Sequence, residues 1–114
     1  RFHGKISFKH AAVAAGMGSL GKNDLLIHPY YGNRLWLGAV VTEIKIEPDP
    51  LSVDISCPED CRVCIESCPA DALLEQNVDQ RGCYSHAFRG SLNEERITCW
   101  NCRQLCPLGK GLQA

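Results

Sequence analysis

The sequence predicts an α+β fold in two parts, and three observations support this division. Residues 1–50 contain no cysteine and hold most of the helix and strand signals, whereas all eight cysteines of the 114-residue chain lie between Cys57 and Cys106. A Pro-Asp-Pro sequence separates the parts at 48–50, and such prolines favour a turn or short linker because they fix φ and disfavour helix in the preceding residue. We therefore expect a first part over 1–50 and a cysteine-based domain over 51–114.

The first part is predicted to begin with a helix and to end with a β-hairpin. In order, its elements are a helix over 7–15, a glycine-rich loop over 16–23, and strands over 25–28 and 35–46. Ser7 is the expected N-cap of the helix, and Gly16 is expected to end it. The turn-forming residues between the two strands predict the hairpin, and Trp36 is expected to pack in the core.

The glycine-rich loop carries two nucleotide-binding patterns that its context disfavours. Gly16, Gly18 and Gly21 have the spacing of a dinucleotide fingerprint, and Gly21 with Lys22 matches the end of a phosphate-binding loop. Both motifs need a strand before the glycines and a helix after them, so that phosphate meets a helix N-terminus. Here the order is reversed, and Asn23 replaces the magnesium-binding Ser or Thr. A helix cap and connector, or a different ligand-facing role, remain the alternatives.

Composition and charge narrow the classes of function. Twelve Lys and Arg residues against thirteen Asp and Glu residues give a net charge of −1, which argues against nucleic acid or an anionic membrane as the main partner. No apolar run approaches the ~18 residues of a membrane span, and no signal peptide is recognisable. With its cysteines reduced, the chain is expected in the cytoplasm. Because it starts at Arg1, we expect a piece of a longer protein.

The second part contains an internal repeat built around cysteine. Residues 61–69 and 99–107, the first and second motifs, both follow the pattern C-x2-C-x3-C-P at an offset of 38 residues. Residues 70–74 after the first motif suit a short helix, whereas two glycines weaken the helix signal at 108–112 after the second. The repeat predicts two equivalent sites rather than one.

Three chemistries would use eight cysteines: disulfides, zinc and iron–sulfur clusters. Disulfides are disfavoured because cysteines two or three residues apart are poorly placed to pair with each other, and no secretory signal is recognisable. Two zinc sites would use the C-x2-C pairs, but zinc requires neither a third cysteine nor a following proline in each motif. The iron–sulfur interpretation explains the whole pattern, because the bacterial two-cluster run is C-x2-C-x2-C-x3-C-P and its fourth cysteine ligates the other cluster.

That exchange of the fourth cysteine gives two complete ligand sets for two [4Fe–4S] clusters. The first set, for cluster I, is Cys57, Cys61, Cys64 and Cys106. The second set, for cluster II, is Cys68, Cys83, Cys99 and Cys102. Cys57 and Cys83 stand at irregular spacings, and Asp60 or His86 would be the nearest substitute if either failed to ligate.

The clusters would change the charge and the surroundings of the chain. Eight thiolates add about −8 and two cluster cores about +4, so the loaded protein carries about −5 instead of −1. Apolar neighbours are expected to keep water from the sulfurs, and these are Val63, Ile65, Trp100 and Leu105. Four histidines show no metal-ligand spacing, namely His3, His10, His28 and His86. Arg34 is expected to be solvated or ion-paired.

The order of these blocks is similar to that of a known superfamily. The residues that carry the similarity are 14–27 (AAGMGSLGKNDLLI), 31–35 (YGNRL), 37–43 (LGAVVTE) and the isolated cysteine of 79–85 (DQRGCYS). Together with the two cysteine motifs, they resemble the epoxyqueuosine reductase and reductive dehalogenase superfamily over 7–107.

The resemblance implies a role for each part. Residues 1–50 would be the C-terminal edge of a nitroreductase-like portion that binds cobalamin. The ferredoxin-like domain over 51–114 would pass electrons to the cobalt from a donor such as ferredoxin or flavodoxin. The resemblance also implies an anaerobic source, and tRNA as the substrate of a true epoxyqueuosine reductase. No catalytic residue is assigned, because Phe2 stands near the place of that family's proton-donating aspartate.

Two other functions stay open on the sequence. One is a stand-alone ferredoxin-like electron carrier, a class that includes partners that reductively activate the corrinoid of another protein. The other is a zinc-stabilised interaction domain.

Overall fold

The computed structural model describes residues 4–50, 55–75, 77–89 and 96–111. Within these ranges the elements are α1 (Phe8–Ala14), β1 (Ser19–Leu20), β2 (Leu26–Ile27), α2 (Val63–Glu66), α3 (Gln80–Ala87), β3 (Phe88–Arg89), β4 (Arg96–Ile97) and α4 (Asn101–Gln104). This mixture of short helices and small antiparallel sheets agrees with the predicted α+β class. The predictions for Phe2, His3 and the last residue of 108–112 lie outside the described residues.

Helix α1 forms where the alanine-rich stretch predicts it. Ser7 occupies the N-cap position, although its side chain makes no capping hydrogen bond. Gly16 follows the helix with φ of 80° and donates to the Val13 carbonyl at 3.0 Å, while the N–H of Met17 donates to the Ala12 carbonyl at 3.0 Å. This pair of bonds is a Schellman motif, which needs a residue in the left-handed region and so favours glycine. The predicted helix end is therefore confirmed.

The predicted hairpin is wrong in its position and in its strand pairing. Strand β1 lies inside the glycine-rich loop and pairs antiparallel with β2, so that Ser19 opposes Ile27 and Leu20 opposes Leu26. Close approach makes this pairing possible, because a Cβ at Gly18 would collide with the Ile27 carbonyl. Glycine has no strand propensity of its own, so the sequence around Gly18 gives little indication that a strand pairs there.

The second predicted strand, 35–46, is also wrong within the described residues. The structure assigns it no strand, and residues 38–50 are exposed throughout. Trp36 is 78% exposed instead of packing in the core, and Val40 is 91% exposed. The alternating apolar residues suit a half-buried strand, but a strand requires a neighbour for its N–H and C=O groups. The described part of the chain supplies no such neighbour to this segment.

The cysteine repeat appears in the structure as two matching helical turns. Helices α2 and α4 begin 38 residues apart and pack against each other. Their N-cap residues have nearly identical backbone angles, with φ of −128° and ψ of 13° at Arg62 and φ of −130° and ψ of 12° at Trp100. The two motifs are thus equivalent in conformation as well as in sequence.

The short helices predicted after each motif do not form in the described residues. After the first motif, Asp71 has φ of 48°, and Leu73 pairs with Val78 in an isolated bridge. After the second, 107–111 is a turn that ends with Gly111 at φ of 66°. A residue in the left-handed region interrupts a right-handed helix, which explains why neither segment is helical.

The apolar core is sparse and divided between the two parts. In the first part it contains Ala12, Leu26 and Ile27, and Ile27 is fully buried. In the second part the buried apolar residues are Ile55, Cys64, Ala72, Leu73 and Ala87. Within the described ranges, no helix has the length and apolar character needed to cross a membrane.

Candidate metal centre

The thiols of the first set lie close to one another around Cys64. Cys64 sits on α2 and is only 7% exposed. Burial raises the pKa of the Cys64 thiol, and negative charge on Cys57, Cys106 and Cys61 raises it further. Charges act on a pKa in this way over a few ångströms, so these four side chains share one region. Cys61 and Cys64 belong to the first motif, and Cys57 lies just before it. Cys106 belongs to the second motif.

The second set lines one cavity. Burial raises the pKa of the Cys83 thiol, and Cys68, Cys99 and Asp79 add to the effect through their negative charge. Burial also raises the pKa of Cys102, with contributions from Cys83 and Cys99. All four cysteines border a cavity of about 290 Å³, whose apolar wall includes Pro69, Ala70, Ala72, Leu73, Val78 and Ala87.

A four-iron cluster holds its cysteine sulfurs further apart than a single metal ion does. Within the described ranges, no three His, Cys, Asp or Glu side chains are grouped closely enough to hold one metal ion. Sulfurs that share a tetrahedral ion at about 2.3 Å stand about 4 Å apart. In a four-iron cluster each cysteine binds a different iron, so the sulfurs need not approach so closely.

Backbone N–H groups point at several of the cysteine sulfurs. The N–H of Lys22 donates to Cys57 Sγ at 3.4 Å, and that of Ala72 donates to Cys68 Sγ at 3.4 Å. Hydrogen bonds from Ile65 and Leu108 act against the raised pKa values of Cys64 and Cys106. Donors of this kind favour the thiolate, which is the form that binds a metal or cluster. The donor set therefore fits an iron–sulfur cluster.

Lys22 fastens the glycine-rich loop to the segment of the first set. Its Nζ donates to the carbonyls of Pro58, Glu59 and Cys61 at 3.2, 2.6 and 2.9 Å. Three convergent carbonyls are a good site for an ammonium group, which has three donors and no acceptor. The lysine of the apparent phosphate-binding pattern is thus engaged with the protein's own backbone.

Asn23 makes the corresponding connection to the second motif. It is 5% exposed, its Nδ2 donates to the Cys102 carbonyl at 3.0 Å, and its Oδ1 accepts from the N–H of Leu25 at 3.2 Å. Lys22 and Asn23 therefore hold adjacent positions of the first part against the two cysteine motifs. The sequence predicts neither role, because none of the patterns at these residues indicates partners that lie far along the chain.

Helix α3 carries Cys83 and was not predicted. Its N-cap Asp79 accepts from the N–H of Gly82 at 3.1 Å, and Asp as a favoured N-cap residue was the available signal. Cys83 is exposed as a whole residue although its thiol is partly buried at the cavity of the second set, and His86 on the same helix lines that cavity. Asp60 lies instead in a polar surface depression with Lys22.

The predicted shielding by apolar neighbours is wrong for two of the four residues. Val63 is 38% exposed and Leu105 is 51% exposed. A single helical turn spreads its side chains around its axis, so only some of the residues beside a buried cysteine can also face the interior. Ile65 and Trp100 are partly buried, as expected.

Sequence comparison relates the chain to a group of enzymes. It is 34% identical over 119 residues to an epoxyqueuosine reductase of Listeria monocytogenes, a match that covers 95% of this chain and 31% of the relative. It is 29% identical over 119 residues to that of Bacillus subtilis, with 95% and 30% covered. The chain is a homologue of the epoxyqueuosine reductases. No protein-family model matches it.

The fold agrees with this homology. A solved epoxyqueuosine reductase from Streptococcus thermophilus superposes with a TM-score of 0.72 at 30% identity, covering 96% of this chain and 32% of that one. A selenomethionine-labelled epoxyqueuosine reductase gives a TM-score of 0.71 at 27% identity. The chain spans about a third of the length of the epoxyqueuosine reductases that it matches.

Proposed function

We propose that the chain binds two [4Fe–4S] clusters and is the electron-relay segment of a cobalamin-dependent reductase resembling epoxyqueuosine reductase. The observation that carries this proposal is the grouping of the eight thiols into two sets of four. Homology to epoxyqueuosine reductases supports it independently.

The grouping supports the predicted exchange of the fourth cysteine. The pKa of Cys64, in the first motif, is raised by burial and also by charge on Cys106, the last cysteine of the second motif. The pKa of Cys83 is raised by burial and also by charge on Cys68, the last cysteine of the first motif. In two-cluster ferredoxin sequences the fourth cysteine of each run serves the other cluster, and these two electrostatic effects support the same rule here.

The chain's own residues would hold and tune the clusters. The two sets of cysteines would supply one thiolate to each iron, and the N–H donors of Lys22 and Ala72 would stabilise charge on two of the sulfurs. The apolar wall around the second set would keep water from cluster II. When bound, such clusters accept and release single electrons. Helices α2 and α4 pack together, so the two sites are neighbours, and charge on Cys64 contributes to the raised pKa of Cys102.

The remaining roles follow from homology and belong to the proposal. Residues 1–50 would form the edge of a nitroreductase-like portion that binds cobalamin, and 51–114 would form the cluster domain. The exposed apolar side chains of Trp36, Val40 and Ile46 support burial of this edge against another part of such a protein. The electron donor would be a protein such as ferredoxin or flavodoxin. If the whole protein is a true epoxyqueuosine reductase, its substrate would be tRNA.

Metal analysis of the anaerobically purified protein tests the cluster proposal. We expect about eight irons and about eight acid-labile sulfides per chain. Fewer than about four irons, or zinc in place of iron, would overturn it. Cobalamin is tested separately on the full gene product by its visible spectrum, before and after reconstitution. Bound cobalamin supports the reductase, whereas clusters with no cobalamin would indicate an electron carrier.

A further inference from the structure

Asn33 is buried without a complete set of hydrogen bonds. Its exposure is 1%, and neither its Nδ2 nor its Oδ1 has a hydrogen-bond partner within the described residues. Buried polar side chains are nearly always paired, because an unpaired donor or acceptor loses its hydration and gains nothing in return. A side chain in this condition points to a partner that the described protein atoms do not supply.

The backbone around Asn33 fixes its side chain beside the second motif. Its carbonyl accepts a hydrogen bond from the Arg103 guanidinium. Gly32 has φ of 59°, and a Cβ there would collide with the backbone of Leu108 and Gly109. The N–H of Gly109 in turn donates to the Cys106 carbonyl at 2.9 Å. The amide is therefore held against the segment that follows Cys106.

The amide lies next to the Cys106 thiol without completing a hydrogen bond to it. The Oδ1 of Asn33 lies 3.5 Å from the position that a Cβ on Gly109 would occupy, which places the amide at the turn that follows Cys106. Burial raises the pKa of the Cys106 thiol, and the Asn33 side chain opposes that effect, as a donor near a thiolate does. The Nδ2 group beside Cys106 is therefore a buried donor with no hydrogen-bond partner among the described residues.

We propose that the Nδ2 of Asn33 donates a hydrogen bond to the sulfur at the Cys106 corner of cluster I and raises the reduction potential of that cluster. This inference rests on the proposed function, because it requires the cluster. One-electron reduction makes the cluster more negative, so a donor to its sulfur stabilises the reduced form more than the oxidised form. Asn33 would thus set the potential at which cluster I passes its electron.

The test is a redox titration of the iron-loaded holoprotein followed by electron paramagnetic resonance. Asn33→Leu replaces the amide with an apolar side chain of similar size, so packing is largely kept. We expect full iron content and a lower cluster I potential, with about a three- to tenfold fall in the ratio of reduced to oxidised cluster at fixed potential, or about 30–60 mV. The Cys106→Ser variant identifies which signal belongs to cluster I.

Asn77→Leu is the matched control. Asn77 is exposed, and its Oδ1 accepts a hydrogen bond from the N–H of Val78 at 2.8 Å, so its loss should leave the cluster I potential unchanged. An Asn33→Leu protein with full iron and wild-type potentials would overturn the inference while leaving the proposed function intact. Wild-type protein that lacks iron would overturn both.

A measurement on the wild-type protein decides the case in which Asn33→Leu fails to load iron. Selective ¹⁵N labelling of asparagine should give a ¹⁵N coupling in the pulsed resonance spectrum of reduced cluster I. Absence of this coupling would overturn the inference, because the hydrogen bond joins the amide nitrogen to the spin-bearing centre.

Discussion

Replacement of Lys22 by methionine tests the connection between the glycine-rich loop and cluster I. The change removes the ammonium group that donates to the carbonyls of Pro58, Glu59 and Cys61, and it keeps an unbranched apolar side chain. The N–H of Lys22 that points at Cys57 Sγ is not removed by the substitution. We expect cluster I to become labile and cluster II to be retained.

The expected magnitude follows from the exposure of the three hydrogen bonds. The bond to Cys61 is partly buried, and a hydrogen bond to a charged group contributes about 1.5–3 kcal/mol. The bonds to Pro58 and Glu59 are exposed, so water replaces them and both together contribute about 0.5–1 kcal/mol. The loop that carries the first set should therefore be destabilised by about 2–4 kcal/mol. At 1.36 kcal/mol per factor of ten, its open form becomes about thirty to a thousand times more populated.

The assay is loss of iron from the holoprotein to a chelator, followed by visible absorbance. The Lys22→Met protein should lose about half of its iron in a fast phase and the rest at the wild-type rate. Lys45→Met is the control, because Lys45 is an exposed lysine that undergoes the same change in charge and side chain. Wild-type kinetics in Lys22→Met, or equal acceleration in both variants, would refute the reasoning.

Three further predictions follow from the described geometry. Cys83→Ala should abolish cluster II and leave about four irons per chain, all in cluster I. Complete loss of iron would contradict the separation of the two sets. Burial raises the pKa of Cys64, Cys83, Cys102 and Cys106, and a ligand must lose its proton to bind, so loading with iron and sulfide should weaken as the pH is lowered from about 8 to about 6. Loading that is independent of pH would count against this. Gly32→Ala should destabilise the holoprotein by about 2–4 kcal/mol in denaturant unfolding, because Gly32 has positive φ and touches the Leu108–Gly109 backbone. Gly38→Ala is the control and should be nearly neutral, because a Cβ at Gly38 meets nothing within 4 Å. Equal effects of the two glycine changes would show that this close approach does not matter.

Local signals account for the elements that were predicted correctly. Helix α1 ends before Gly16 because the Schellman motif needs a residue in the left-handed region. A single glycine in the sequence is enough to indicate this. The conformational match between α2 and α4 follows from the repeat, since equal spacing of the cysteines demands equal turns. Both features depend on residues a few positions apart.

The features that were missed depend on residues distant in sequence. Strand β1 pairs with β2 because Gly18 lets two backbones approach, which no propensity records. The side chain of Lys22 donates to the Cys61 carbonyl, 39 residues along the chain, and that of Asn23 donates to the Cys102 carbonyl, 79 residues along the chain. Segment 35–46 has the alternating pattern of a strand, but no neighbouring strand pairs with it among the described residues. The pattern of one segment does not show whether a second strand is available to pair with it.

The exchange of Cys68 and Cys106 between the clusters is the central claim, and double variants in a Cys83→Ala background test it most directly. With exchange, Cys83 and Cys68 serve the same cluster, so Cys83→Ala combined with Cys68→Ala should keep one intact [4Fe–4S] cluster, counted by iron, sulfide and spin quantitation. Cys83→Ala combined with Cys106→Ala should damage both clusters. The opposite result, one intact cluster with Cys106→Ala and none with Cys68→Ala, would contradict the exchange and show that each motif holds its own cluster.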